Sequence, residues 1–263
     1  MEWVYYSSHG KDSLAGLHVA MDILHWPISR VVNSVVWATE DIPGTSPEMM
    51  EFKAYAEKEI KRRWGLATVT PKSPRTFESG FYSTVQHKDG TASIRGWPLL
   101  NASWCIRWVK GFDKTRSGEI ACIGIAADET HRLGQLSDSR RSPLAEVGWT
   151  EAMCFDWCRD NSLLSPVYER STRDGCWFCP KQATAPLRHL WRHRPDLWAL
   201  MLKWDADSPT QFKMGRRNAK TGELTQGKSV ADYDLRFRLE AAGKVPTDRR
   251  FKWSMLDEYR KEG

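Results

Sequence analysis

The stretch that most constrains this chain is Ser8-His9-Gly10-Lys11-Asp12-Ser13. A short apolar run, Trp3-Val4-Tyr5-Tyr6, precedes it and reads as a strand. Leu14, Leu17, Met21 and Leu24 follow at helical spacing. The hexapeptide is therefore a strand-to-helix turn. Such a turn gathers free backbone N–H groups and the positive end of a helix dipole, which together suit a phosphate. Gly10 allows close backbone approach, Lys11 adds charge, and Ser13 can donate where the helix opens. The Walker spacing Gly-x-x-x-x-Gly-Lys-Ser/Thr is absent.

The pattern then repeats. Val31 to Trp37 is a β-branched run and predicts the second strand. Ser46 and Pro47 predict a cap and first turn for a helix from about Glu48 to Trp64. Ala67 to Thr70 predicts a third strand. Strand alternating with helix implies a parallel sheet with right-handed crossovers and helices on both faces, a Rossmann-like α/β fold. Ligands of such sheets sit beyond the carboxyl ends of the strands, which puts Thr39, Glu40 and Asp41 beside the first loop. Residues 71–103 read as an irregular lid or a hairpin, Phe77 to Arg95, turning at Asp89-Gly90. Ile120 to Ala126 is the clearest buried strand, with Asp128, Glu129 and Arg132 at its carboxyl end. Ser142 to Val147 reads as the last strand. A helix capped by Thr150 follows and runs through Cys158.

The 263 residues carry a formal charge of +6, unevenly placed. Residues 1–180 hold 21 Lys/Arg against 22 Asp/Glu, and residues 181–263 hold 18 against 11. The expected division is an α/β domain carrying the phosphate loop over 1–180 and a basic, mostly helical extension over 181–263. The extension would meet a polyanion such as tRNA or DNA. No apolar run is long enough to span a bilayer and no signal pattern opens the chain, so a cytoplasmic protein without a membrane partner is expected.

Four of the six cysteines form the pattern Cys154-x₃-Cys158-x₁₇-Cys176-x₂-Cys179. Four thiolates suit zinc or an iron–sulfur cluster. Competing sets replace the first pair by His189 and His193, or bring in Cys105. Cys176 and Cys179 belong to every set. Cys122, inside a strand, reads as a small buried hydrophobe.

The first loop resembles the Ser-Gly-Gly-x-Asp-Ser loop of the PP-loop ATP pyrophosphatases and the phosphoadenosine phosphosulfate (PAPS) reductases, with His9 in place of the first Gly. Trp104-Cys105-Ile106-Arg107-Trp108-Val109-Lys110 is similar to that family's Trp-Cys-Thr-Arg-x-x-Lys segment, and Asp128-Glu129-x-x-Arg132 to its Gly-Ile-Arg-x-Asp-Glu-x-x-Arg segment, with Ala126 for the first Arg. Pro143-Leu144, Trp149-Thr150-Glu151 and Gly175-Cys176-Trp177-Phe178-Cys179-Pro180 recur in the same order, phage-borne members included. The resemblance spans residues 3 to about 205 and implies the adenine nucleotide alpha hydrolase fold. It implies an ATP-type nucleotide held by Ser8, His9, Gly10, Lys11, Asp12, Ser13, Thr39, Glu40, Asp41, Arg107, Lys110 and Arg132. Lys11, Asp12, Asp128 and Glu129 become the catalytic candidates, the last pair suiting Mg²⁺. In the assimilatory reductases an iron–sulfur cluster takes a Cys pair near the position of Cys105 and a later Cys-x-x-Cys.

The family's reductases end in a Glu-Cys-Gly-x-His tail, and no Cys follows Cys179 here. The expected activity is therefore adenylation of an acceptor, with release of pyrophosphate and displacement of AMP by sulfur from a donor protein or by another nucleophile. Alternatives are sulfonucleotide reduction, or nucleotide sensing by a nucleic-acid binder without turnover.

Overall fold

The computed structural model describes residues 1–97, 118–169, 171, 175–215 and 226–260. The expected contacts of Cys105, Arg107 and Lys110 lie outside these residues. The chain divides into two compact units: Met1–Phe77 with Cys105–Cys176, and Glu78–Trp104 with Trp177–Gly263. Each unit is formed from two stretches of the chain. Residues 78–104 belong with the second unit.

The first unit is built on a five-stranded parallel sheet. Its strands are β1 (Glu2–Ser7), β2 (Ile28–Asn33), β3 (Thr68–Val69), β6 (Glu119–Ile123) and β7 (Arg140–Arg141), in the order β3-β2-β1-β6-β7. This is the order of a doubly wound α/β sheet. Tyr5 lies beside Val31 and Cys122 in register, and all three join the core packed around helix α1 (Lys11–His18). Val4 and its neighbour Ala121 point to the opposite face and are equally buried. Both faces of the central strand are therefore covered, which explains its unbroken apolar run.

Helix α2 (Pro47–Trp64) forms as expected. The Ser46 hydroxyl accepts from Met49 N, Pro47 fills the first turn, and Gly65 ends the helix in the left-handed region at φ 68°. Two strand expectations are corrected. The second strand runs from Ile28 to Asn33, and Trp37 instead bridges Pro43 within the following loop. Ser142 to Val147 is not a strand: Pro143–Glu146 is a short helix, α5, with the Ser142 hydroxyl accepting from Ala145 N. Pro143 lacks a ladder N–H, and a Ser-Pro pair is a helix start. The last strand is Arg140–Arg141, with helix α4 (Thr130–Leu133) before it. Helix α6 (Glu151–Asp160) is capped by Thr150.

The second unit opens with most of helix α3 (Phe77–Phe81) and a hairpin of β4 (Thr84–Gln86) and β5 (Ala92–Ile94), turning through Gly90 at φ 85°. Helices α7 (Thr184–His193), α8 (Pro195–Asp207) and α9 (Val230–Ala241) follow. Aromatic packing assigns the hairpin segment to this unit. Trp97 packs edge-on against Phe81, Trp204 and Phe212, and its indole N–H donates to Asp205 at 3.0 Å. Trp177 stacks on Trp204 at 5.7 Å. No described helix is long and apolar enough to cross a membrane.

Candidate functional site

The chain builds outward from β1 in both directions, so the connections leaving β1 and β6 diverge. A cleft opens at such a switch point, beyond the carboxyl ends of the strands. A cavity of about 380 Å³ lies there, within the range of about 300–1,000 Å³ typical of ligand sites. Ser8, Gly10, Asp12 and Ser13 line it from the loop, and Ile123 and Gly124 from the end of β6.

The loop amides are committed in series. Ser8 N donates to Ser13 Oγ at 3.3 Å, His9 N to Ser7 Oγ at 3.0 Å, Gly10 N to Ser8 Oγ at 3.3 Å, and Lys11 N to the Tyr168 hydroxyl at 3.2 Å. Four consecutive donors thus meet side-chain hydroxyl oxygens, groups that rotate and can exchange for a ligand's oxygens. The positive φ of the turn falls on His9, at 58°. A left-handed residue without a Cβ is the low-strain choice there, which accounts for Gly in the loops this one resembles.

The His9 ring is fully buried, and among the described residues no hydrogen bond of normal geometry reaches either ring nitrogen. Burial holds its pKa down to about 3, the charge of Lys53 pushes the same way, and Asn33 opposes them.

Lys11 takes a different place from the one its sequence position suggests. Its ammonium lies 2.6 Å from Asp12 and 3.3 Å from Glu151. It lines a second cavity of about 610 Å³ with Asp128, Glu151, Phe155, Tyr168 and Glu169, and not the first. Burial opposes the charged form, but the hydrogen bonds and charges of Asp12 and Glu151 outweigh it and raise the Lys11 pKa. Burial also raises Asp12, against the pull of Lys11.

The other carboxylate candidates have internal duties. Asp128 accepts from Glu151 N at the start of α6. Glu129 accepts from Ala126 N and holds Arg132 at 2.7 Å. Arg132 does line the first cavity. Thr39 closes a local turn by accepting from Asp41 N and Ile42 N, and Glu40 O accepts from Lys72. Ser34, Val36 and Thr45, from the same connection, line the cavity instead of Thr39, Glu40 and Asp41. Lys53 of α2 also lines it, and sequence reasoning missed this residue. Its signal was readable: Met49, Lys53, Ala56 and Ile60 fall on one buried helix face.

Cys154 and Cys158 sit on the buried face of α6. Both lie in the hydrophobic core, and the Cys158 thiol donates to Lys11 O. Burial pushes the Cys158 thiol up to about 12 and Cys154 higher. Among the described residues no three His, Cys, Asp or Glu side chains gather as a metal-binding group. Cys176 lines the first cavity.

In the second unit, Arg188 and Arg236 pair with Glu240, Arg238 with Asp234, and Arg260 with Asp232 and Asp257. Trp198 and Trp204 are buried, and Trp191 and Trp198 both donate to Asp234. The chain matches no protein-family model and no curated protein.

Proposed function

We propose that this chain is an adenine-nucleotide enzyme of the PP-loop ATP pyrophosphatase type, with the adenine nucleotide alpha hydrolase version of the α/β fold. The observation that carries the reading is the switch-point cavity, lined by Ser8, Gly10 and Ser13 and by the cations Lys53 and Arg132. ATP phosphates would take over the loop N–H donors now held by hydroxyl groups, at the positive end of α1. An acceptor nucleophile attacks the α-phosphorus. The α–β phosphoanhydride P–O bond breaks, and pyrophosphate leaves with the electron pair. A second nucleophile, sulfur among the candidates, then displaces AMP. The chain's contribution is positioning and charge stabilisation of the phosphates.

Nucleic acid, tRNA or DNA, is the acceptor proposed from the positive balance of residues 181–263. Internal pairing of Arg188, Arg236, Arg238 and Arg260 reduces the cations left for phosphate contacts.

Calorimetry with ATP, GTP and adenosine, followed by a pyrophosphate-release assay with tRNA and DNA, tests the reading. Binding of ATP in preference to GTP, with pyrophosphate release on adding acceptor, is expected. Absence of ATP binding at millimolar concentration would refute it.

A further inference from the structure

Lys53 occupies a position that a packed helix would normally give to an apolar residue. It lies on the core face of α2 with Met49, Ala56 and Ile60, and it is 4% exposed. A lysine ammonium is rarely buried to this extent, because leaving water costs it free energy that polar neighbours must offset. Its ammonium approaches Asn33 Oδ1 at 3.5 Å, while Asn33 Nδ2 donates to Glu57 and Thr70. The amide is thus turned so that its oxygen faces the lysine. The side chain reaches the wall of the switch-point cavity. Arg132, from the connection after β6, lines the same cavity while Glu129 holds it at 2.7 Å, and Ser8, Ser13, Ser34 and Thr45 also line it. Lys11, the cation inside the loop itself, lines the other cavity and is held by Asp12 and Glu151.

From this geometry we infer that Lys53, with Arg132, is the anion-binding pair of the cavity, and that it takes the phosphate groups of a ligand, while Lys11 fixes the loop from behind. The inference rests on the nucleotide reading for the ligand's identity but not for its charge: the site is built for a phosphate-bearing anion. Its cations come from α2 and from the segment after β6, so the loop supplies N–H groups and hydroxyls and the flanking elements supply charge.

The test uses the full chain and three probes: ATP, inorganic pyrophosphate and adenosine. Lys53→Met keeps most of the buried stem and removes the charge. Loss of one charged hydrogen bond predicts a fall of about 10- to 100-fold in affinity for ATP and pyrophosphate, with adenosine affinity unchanged. A merely structural role would weaken all three together, and that result would overturn the inference. So would unchanged ATP and pyrophosphate affinity in a folded Lys53→Met protein. Wild type that binds pyrophosphate in a Lys53-dependent way, but neither ATP nor adenosine, would leave Lys53 in place and sink the nucleotide reading. Wild type that binds no probe would sink both. If Lys53→Met does not fold, the ¹³Cε signal of Lys53 in wild type decides, assigned with Lys53→Arg. It should move on titration with pyrophosphate, and a signal unmoved at saturation would overturn the inference.

Discussion

Gly124 follows the last residue of β6 and sits against the loop that opens α1. A Cβ built there would sit 2.8 Å from the carbonyl carbon of Asp12 and 2.9 Å from Ser13 Cα, and nearer still to the Asp12 oxygen. The three nearest obstacles are all backbone, so no side-chain rotation relieves them. On one side Tyr6 pairs with Ile123 in the parallel ladder. On the other, Tyr5 donates to Ser13 O at 2.8 Å and ties the first turn of α1 to the same strand. Gly124→Ala must therefore push the loop outward. Overpacking of this kind costs about 1–3 kcal/mol. For a chain of this size that is a fall in Tm of roughly 2–12 °C. The displaced loop should also lose nucleotide affinity, by roughly tenfold or more, since donors moved by about 1 Å no longer meet the same oxygens. Gly134→Ala is the control, because a Cβ there meets only Thr130 O and His131 O, at 3.6 and 3.9 Å. Calorimetric melting and ATP titration of both variants make the comparison. A Gly124→Ala protein that melts and binds like Gly134→Ala would refute the claim that loop and strand are in backbone contact.

Tyr168→Phe removes the hydroxyl that competes for Lys11 N–H, so ATP affinity should rise about two- to tenfold, within the worth of one hydrogen bond; a loss would show that the hydroxyl serves the ligand instead. His9 is held neutral in the fold, with a pKa of about 3 against 6.5. The unfolded chain therefore binds the extra proton, and stability should fall by ~1.4 kcal/mol per pH unit as pH drops from about 6.5 towards 3. Urea midpoints of wild type and His9→Asn between pH 7 and 5 check this, because Asn tolerates the positive φ and does not titrate. Cys122, Cys154 and Cys158 have raised thiol pKa values from burial, so alkylation at pH 8 should spare them until denaturant is added; mass spectrometry that finds them modified in native protein would contradict their core placement.

The parallel sheet was legible because alternation of β-branched runs with amphipathic stretches leaves few topologies. The cavity's position followed from the same pattern. Its charges did not, since the spacing of Lys11 says only that a cation is near the loop. Glu151, 140 residues away, decides where that cation goes, and no local pattern shows such a pairing. Lys53 was hidden for the opposite reason, as one charge among many on a charged helix, identifiable only by its place on the buried face. Ser142 to Val147 misled because four apolar residues in six read as a strand until Pro143 is given its weight. The cysteine spacing was real, but Cys154 and Cys158 share the helix face that packs against the core.

The hairpin segment has a consequence in time. Phe81 and Trp97 leave the ribosome early, yet Trp97 donates to Asp205, 108 residues further on. At roughly 5–20 residues per second, those rings wait about 5–20 s for their partners during synthesis. Through that interval a nascent chain carries a cluster of unsatisfied aromatic surface in its middle. Its yield in the cell should therefore depend on translation speed and on chaperones more than its final stability suggests.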